Sequence, residues 1–142
     1  MLVRCLYASR AVVPLDPERV DAIVEQSRRN NPAHGITGLL CFLDDVLVQV
    51  LEGGRDAVCA LLGTIMRDER HHSVRILSYE EIVERRFGNW NMGQVNIAKV
   101  NTALLLKYSE KAELDPFALP GHATMALLDE LVATASIVNR TG

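Results

Sequence analysis

The stretch that most constrains this chain runs from Gly35 to Gly53, G-I-T-G-L-L-C-F-L-D-D-V-L-V-Q-V-L-E-G. Two apolar segments, Ile36 to Leu43 and Val46 to Leu51, flank Asp44-Asp45 and are bounded by glycine, which is the pattern of a β-hairpin. Both segments carry apolar residues on both faces, so the hairpin belongs in the middle of a sheet covered by helices. Gln49 breaks the pattern. It shares a face with Leu47 and Leu51, because strand side chains alternate with a period of two. A buried amide left without partners costs about 1–3 kcal/mol. Gln49 must therefore meet a polar group inside the fold, either another side chain or a bound molecule.

A chain of 142 residues suits one domain that buries roughly two thirds of the surface its unfolded form exposes. A net charge of −3 gives no support to binding of nucleic acid or an anionic membrane. Cys5, Cys41 and Cys59 lie far apart in apolar segments and read as small buried hydrophobes of a reducing compartment. No C-x-x-C, secretory leader or long apolar span occurs, so zinc fingers, secretion and membrane spanning are set aside and a cytoplasmic location is expected.

In chain order, Leu2 to Ser9 reads as a first strand with Val3, Cys5, Tyr7 and Ser9 on one face. Asp16-Pro17-Glu18 opens a helix, with an acidic N-cap and proline in the first turn. Val20, Ile23, Val24 and Ser27 follow at helical spacing, and Pro32 predicts an end near Asn30-Asn31. After the hairpin, Gly53-Gly54 leads into a second helix whose stripe Val58, Leu61, Leu62, Ile65 and Met66 reads as core. That helix is expected to run into Asp68-Glu69-Arg70-His71-His72. The helix dipole favours histidine there, and no ligand set for a metal is completed. Val74 to Leu77, extending as far as Ile82, predicts a fourth strand. Trp90 to Val95 predicts a fifth, with Trp90 and Met92 on one face. Beyond Thr102 a short helix over Ala103 to Lys107 and a proline-containing linker precede a helical pattern from His122 to Val138. Met125, Leu128, Leu131, Val132 and Ala135 line one side of it. The order β-α-β-β-α-β plus a strand is an α+β, ferredoxin-like sandwich. Its C-terminal helices are expected on the sheet face opposite the first two.

Six short motifs fall in order over about the first ninety residues. They are Leu6-Tyr7 with Ser9, S-R-x-N-N at Ser27 to Asn31, G-I-T-G-x-L at Gly35 to Leu40, Q-V-L-E-G at Gln49 to Gly53, D-x-R-H at Asp68 to His71, and R-F-x-x-W-x-M at Arg86 to Met92. Together they resemble the BLUF family of blue-light sensors that use a bound flavin. The resemblance implies a light-sensing domain over residues 1–97 and a helical extension over 98–142. It implies a non-covalently held FAD, with FMN or riboflavin as acceptable substitutes, and no enzymatic activity.

By that likeness Ile23 and Ile65 face the two sides of the flavin ring. Asn31 meets its pyrimidine edge with Asn30 and Arg70 nearby, and Asp68 and His71 stand at the ribityl side. Ser27 and Leu40 complete the binding set. Gln49 sits between Tyr7 and the flavin, and Trp90 and Met92 report the switch through the last strand. The phenol of Tyr7 can give up an electron and a proton together. Rotating or tautomerising the Gln49 amide then reverses the hydrogen bonds it offers. No cyclase, phosphodiesterase or DNA-binding segment is recognisable after Gly93, so output is expected through an unidentified protein partner or through a homodimer. Two rival readings are a small phosphohydrolase using Arg70 and Asn31, for which no glycine-rich cradle precedes a helix, and a ligand-free interaction module whose Tyr7, Asn31 and Gln49 satisfy one another.

Overall fold

The computed structural model describes residues 1–134. The elements that set the site are β1 (Leu2–Ala11), α1 (Pro17–His34), β2 (Thr37–Leu43), β3 (Val46–Gly54), α2 (Arg55–Arg67), β4 (His71–Ile82) and β5 (Gly93–Asn96). A 3-10 turn at Ile97–Lys99 leads to α3 (Thr102–Tyr108) and α4 (Gly121–Ala133). The strands form one sheet in the order β4-β1-β3-β2-β5. β2 and β5 run parallel, whereas β1 pairs antiparallel with both β3 and β4. This is the expected ferredoxin-like α+β arrangement with a fifth strand.

The hairpin lies inside the sheet as its double apolar pattern requires. β3 is bonded to β1 on one side and β2 on the other, and a two-residue turn at Asp44-Asp45 joins it to β2, with Asp44 at φ 55. Alternation divides its side chains between two cores. Val46, Val48 and Val50 join Leu6, Leu39, Phe87 and the α4 residues Leu127, Leu128 and Leu131. Leu47 and Leu51 join Val20 and Val24 of α1, and Val58 and Leu62 of α2, on the other face. The first two helices thus cover one face and the C-terminal helices the other, each burying one stripe.

Three boundaries differ from expectation. α1 continues through Pro32 to His34. Proline removes one N–H within the last turn only, and Gly35, at φ 66, closes the helix by donating to the carbonyls of Asn31 and Pro32. The extra turn carries Asn31 onto the buried side, where it is 3% exposed. α2 ends at Arg67, so His71 and His72 begin β4 and do not end a helix. β5 starts only at Gly93. Trp90 therefore precedes the strand, and Trp90 and Met92 part company: Met92 is fully buried among the α1–α2 core, whereas Trp90 packs against the opposite one. Cys59 is exposed rather than buried, its sulfur 3.8 Å from the Tyr79 hydroxyl. Met66, expected in the core stripe, is half exposed. Of the stripe expected over His122 to Val138, Ala135 and Val138 lie outside the described residues.

Gly38 is required by close packing. A β-carbon there would lie 2.1 Å from the Val50 carbonyl oxygen and 3.3 Å from the Met92 methyl. Gly38→Ala is expected to lower stability by about 3 kcal/mol, the upper range for overpacking. By contrast Gly63→Ala, whose new carbon meets only the far end of the flexible Arg67 side chain, should raise stability by up to about 1 kcal/mol. Urea unfolding of the two variants beside the parent checks both signs.

Candidate functional site

The facing sides of α1 and α2 diverge over the sheet and leave a cleft with about 850 Å3 of atom-free space, part of it continuous with solvent. Every residue expected to bind the flavin lines it: Ile23, Ser27, Asn30 and Asn31 from α1, Leu40 and Gln49 from the hairpin, Ile65 from α2, then Asp68, Arg70 and His71. The sequence reading missed Ala11, Gln26, Leu47, Leu61 and Thr64. The helical period held a signal for two of them, since Gln26 lies three residues beyond Ile23, and Leu61 four before Ile65. Trp90 and Met92 do not line the cleft.

At the floor, β1 and β3 set Tyr7 directly opposite Gln49. The Tyr7 hydroxyl donates to Gln49 Oε1, and Gln49 Nε2 donates to Met92 Sδ at 3.2 Å. The amide is 6% exposed. The question its sequence position raised is answered on one side by a phenol and on the other by a thioether. Burial, followed by the nearby Cys5 and Asp68, pushes the Tyr7 pKa far above its ordinary 10.0. The phenol therefore stays neutral and keeps its proton as a donor. Burial likewise pushes the Cys5 thiol up to about 11, which leaves no thiolate beside the cleft at neutral pH.

The mouth is polar but nearly balanced in charge. Arg70 NH2 and Nε grip Asp68, with Nε 3.0 Å from each carboxylate oxygen, and the guanidinium also reaches Gln26 Oε1 at 3.3 Å. The hydrogen bond from Arg70 holds the Asp68 carboxyl below the usual range, against the opposite effect of burial. His71 Nδ1 lies 2.8 Å from Ser9 Oγ and Nε2 2.5 Å from the Ile65 carbonyl. A carbonyl only accepts, so Nε2 carries the proton and the Ser9 hydroxyl can donate to Nδ1. Asn31 Nδ2 donates to the Asn91 carbonyl at 2.9 Å, leaving its second N–H and its oxygen for the cleft. Arg28 of α1 does not line the cleft. Its side chain is 8% exposed, and its Nε donates to the Met92 carbonyl at 3.3 Å.

Apolar walls from Ile23, Leu61 and Ile65, an apolar floor from Leu40 and Leu47, and amides at Asn30, Asn31 and Gln49 fit a flat heterocycle whose polar groups lie along an edge. Among the described residues no three His, Cys, Asp or Glu side chains cluster to hold a metal ion, and no helix is long and apolar enough to cross a membrane. Fold and cleft together define a ferredoxin-like cofactor-binding domain. The sequence model of the BLUF family, described as sensors of blue light using FAD, matches residues 2–93, and the chain belongs to that family.

Photoactivated adenylate cyclase subunit beta of Euglena gracilis is 33% identical over 92 residues, which are 64% of this chain and 11% of the cyclase subunit. The solved structure of BlrB, a BLUF protein in its dark state, is 31% identical with a TM-score of 0.77. The match covers 94% of this chain and 96% of that one. The photo-activated state of BlsA is 28% identical with a TM-score of 0.76, over 93% and 95% of the two chains. This chain spans about a tenth of the length of the cyclase subunit and nearly the whole of BlrB and BlsA.

The raised Tyr7 pKa has a consequence for stability. An unfolded tyrosine ionises near 10, before the buried one, so the unfolded state sheds its proton first. The contribution is fully present below pH 10 and is lost as pH rises towards the folded-state value. Tyr7→Phe lacks this linkage. The stability difference between parent and Tyr7→Phe, measured by urea unfolding from about pH 8 to about pH 11, should narrow on the alkaline side; a constant difference would show that Tyr7 is not the linked group.

Proposed function

We propose that light sensing is executed by Tyr7, Gln49 and Met92 acting as one unit beneath a flavin held by Ile23, Ser27, Asn30, Asn31, Leu40, Ile65, Asp68, Arg70 and His71. The observation that carries this reading is the Gln49 amide, buried at the floor of the cleft with a donor at its Oε1 and an acceptor at its Nε2. When bound, the flavin supplies absorption of blue light and an excited state that accepts an electron. The neutral phenol of Tyr7 is placed to give up an electron and its proton and to recover both, so the cycle closes without net redox change. Gln49 is the part that reorients. A half-turn of its amide would set Oε1 against the Met92 sulfur, two acceptors facing each other, and Nε2 against the Tyr7 oxygen. Met92 must then leave its place, and the segment from Arg86 to Gly93 moves with it. Asp68 and His71 would hold the ribityl side, and Asn31 the ring edge with Asn30 and Arg70 nearby.

The chain itself is read as a non-enzymatic receptor whose extension over residues 98–142 passes the signal to a protein partner or a second copy. Arg86 NH1 bonds Asp129 of α4 at 2.9 Å, and Glu130 of α4 bonds Lys107 and Tyr108 of α3, which supports a route from the Met92 segment to both C-terminal helices. Arg70 is already engaged by Asp68, which counts against the phosphohydrolase reading.

Gln49→Leu and Tyr7→Phe should each keep flavin bound and abolish the reversible red shift of its absorption, read before and after blue light. Asn31→Ala should instead weaken flavin binding by about tenfold, the loss of one to two hydrogen bonds. A parent-like shift in Gln49→Leu returns Gln49 to a purely structural role. The arginine that lines the cleft, Arg70, is engaged by Asp68. Reconstitution with riboflavin, FMN and FAD should therefore give photocycles of similar amplitude, and a strict need for the adenine would contradict the assignment of the mouth.

A further inference from the structure

The segment that carries Met92 is tethered by three carbonyls in a row. The Trp90 carbonyl accepts from the Gly38 N–H at 3.1 Å, the Asn91 carbonyl from Asn31 Nδ2 at 2.9 Å, and the Met92 carbonyl from Arg28 Nε at 3.3 Å. The first tether belongs to the sheet and the second to a residue of the cleft. The third comes from a side chain that is 8% exposed and does not line the cleft. Glu25 Oε2 also lies 4.0 Å from its NH1. A guanidinium hydrogen bond to a carbonyl is charge-assisted and stronger than a neutral one, and its planar fork cannot be reproduced by a lysine ammonium. α1 thus holds, from outside the cofactor site, the backbone of the one residue whose sulfur accepts from the Gln49 amide.

We propose that Arg28 is a positioning residue that keeps Met92 under Gln49 and thereby sets how fast the illuminated state returns to rest. This rests on the reading of Gln49 as the reorienting group. Met92 can only accept at its sulfur, so its presence under the amide favours the orientation in which Nε2 points down and Oε1 meets Tyr7. Once the amide has turned and Met92 has been displaced, return requires the thioether to be in place again. With the Met92 carbonyl tethered, the segment is delivered back to one position. Without the tether it samples several, and fewer molecules at any moment offer the amide its acceptor.

The test uses the full chain. Arg28→Ala should retain flavin and the full amplitude of the red shift, but thermal recovery after blue light should slow at least fivefold. Arg28→Lys, which restores the charge but not the fork, should fall between the two. A 13C-methyl NMR spectrum of the cofactor-free protein provides a readout independent of photochemistry: the Met92 methyl resonance should shift or broaden in Arg28→Ala and stay put in Arg29→Ala, a neighbour on the exposed side of α1. A merely structural arginine would lower the unfolding temperature and leave recovery and the Met92 signal unchanged, and that result overturns the proposal, as does recovery within twofold of the parent. If Arg28→Ala does not fold, Arg28→Lys decides on the same two readouts. A parent without any reversible shift would refute the sensor reading instead, while the Met92 resonance would still test the tether.

Discussion

The molecule depends on one strand that is buried on both faces and yet carries a polar residue on each. β3 presents Gln49 to the α1–α2 side and Glu52 to the α4 side, and Glu52 is fully buried. Each has recruited what it needs. Gln49 takes the Tyr7 hydroxyl and the Met92 sulfur. Glu52 takes the Arg4 guanidinium at 2.8 Å and the backbone N–H groups of Arg86 and Phe87 at 3.1 and 2.6 Å. An uncompensated buried charge costs about 3–5 kcal/mol when its partner is removed, so Glu52 binds that connection tightly. Both ends of the link between β4 and β5 are thereby fastened to the same strand, its start through Glu52 and its end through Gln49. Arg85 adds a third hold, donating to Thr37 Oγ1 at 2.8 Å and to the Gly35 carbonyl at 2.7 Å.

The two fastenings differ in strength. The firm fastening is ionic and lies on the far face. The weak one is an amide donating to a thioether, a poor acceptor. The Met92 end is thus held at Gln49 by the weaker bond and the Arg86 end by Glu52, and Arg86 in turn holds Asp129 on α4. The sheet lies between the two cores, and the link from Arg86 to Met92 reaches both, with Phe87 in one and Met92 in the other.

Much of this was legible in the sequence because it rests on local rules. Periodicity placed the hairpin and both covering helices, and the Asp16-Pro17 start sits at the observed cap. Gln49 stood out because strand alternation puts it on an apolar face, and all ten residues expected to bind the flavin do line one cleft. The errors have equally local causes. Pro32 was read as a stop, but a proline near a helix end forfeits one bond only, and Gly35 is the true terminator. Trp90 and Met92 were placed on one face by assuming a regular strand. Residues 90–92 are irregular, and their carbonyls are bonded sideways to Gly38, Asn31 and Arg28 and not along a ladder.

By itself, then, the sequence determined which elements form and which polar residue is out of place, because these follow from side-chain alternation, helical period and capping within a few residues of chain. Only the tertiary structure decided what the polar residues meet. Glu52 looked like part of a motif until the fold brought Arg4 and the Phe87 N–H to it from 48 and 35 residues away. Nothing in the local sequence marks Arg28, which α1 sets against the Met92 carbonyl, 64 residues on. A buried donor or acceptor must be satisfied, but its partner can be any group that packing delivers. The sequence states the demand, and the folded chain alone selects what meets it.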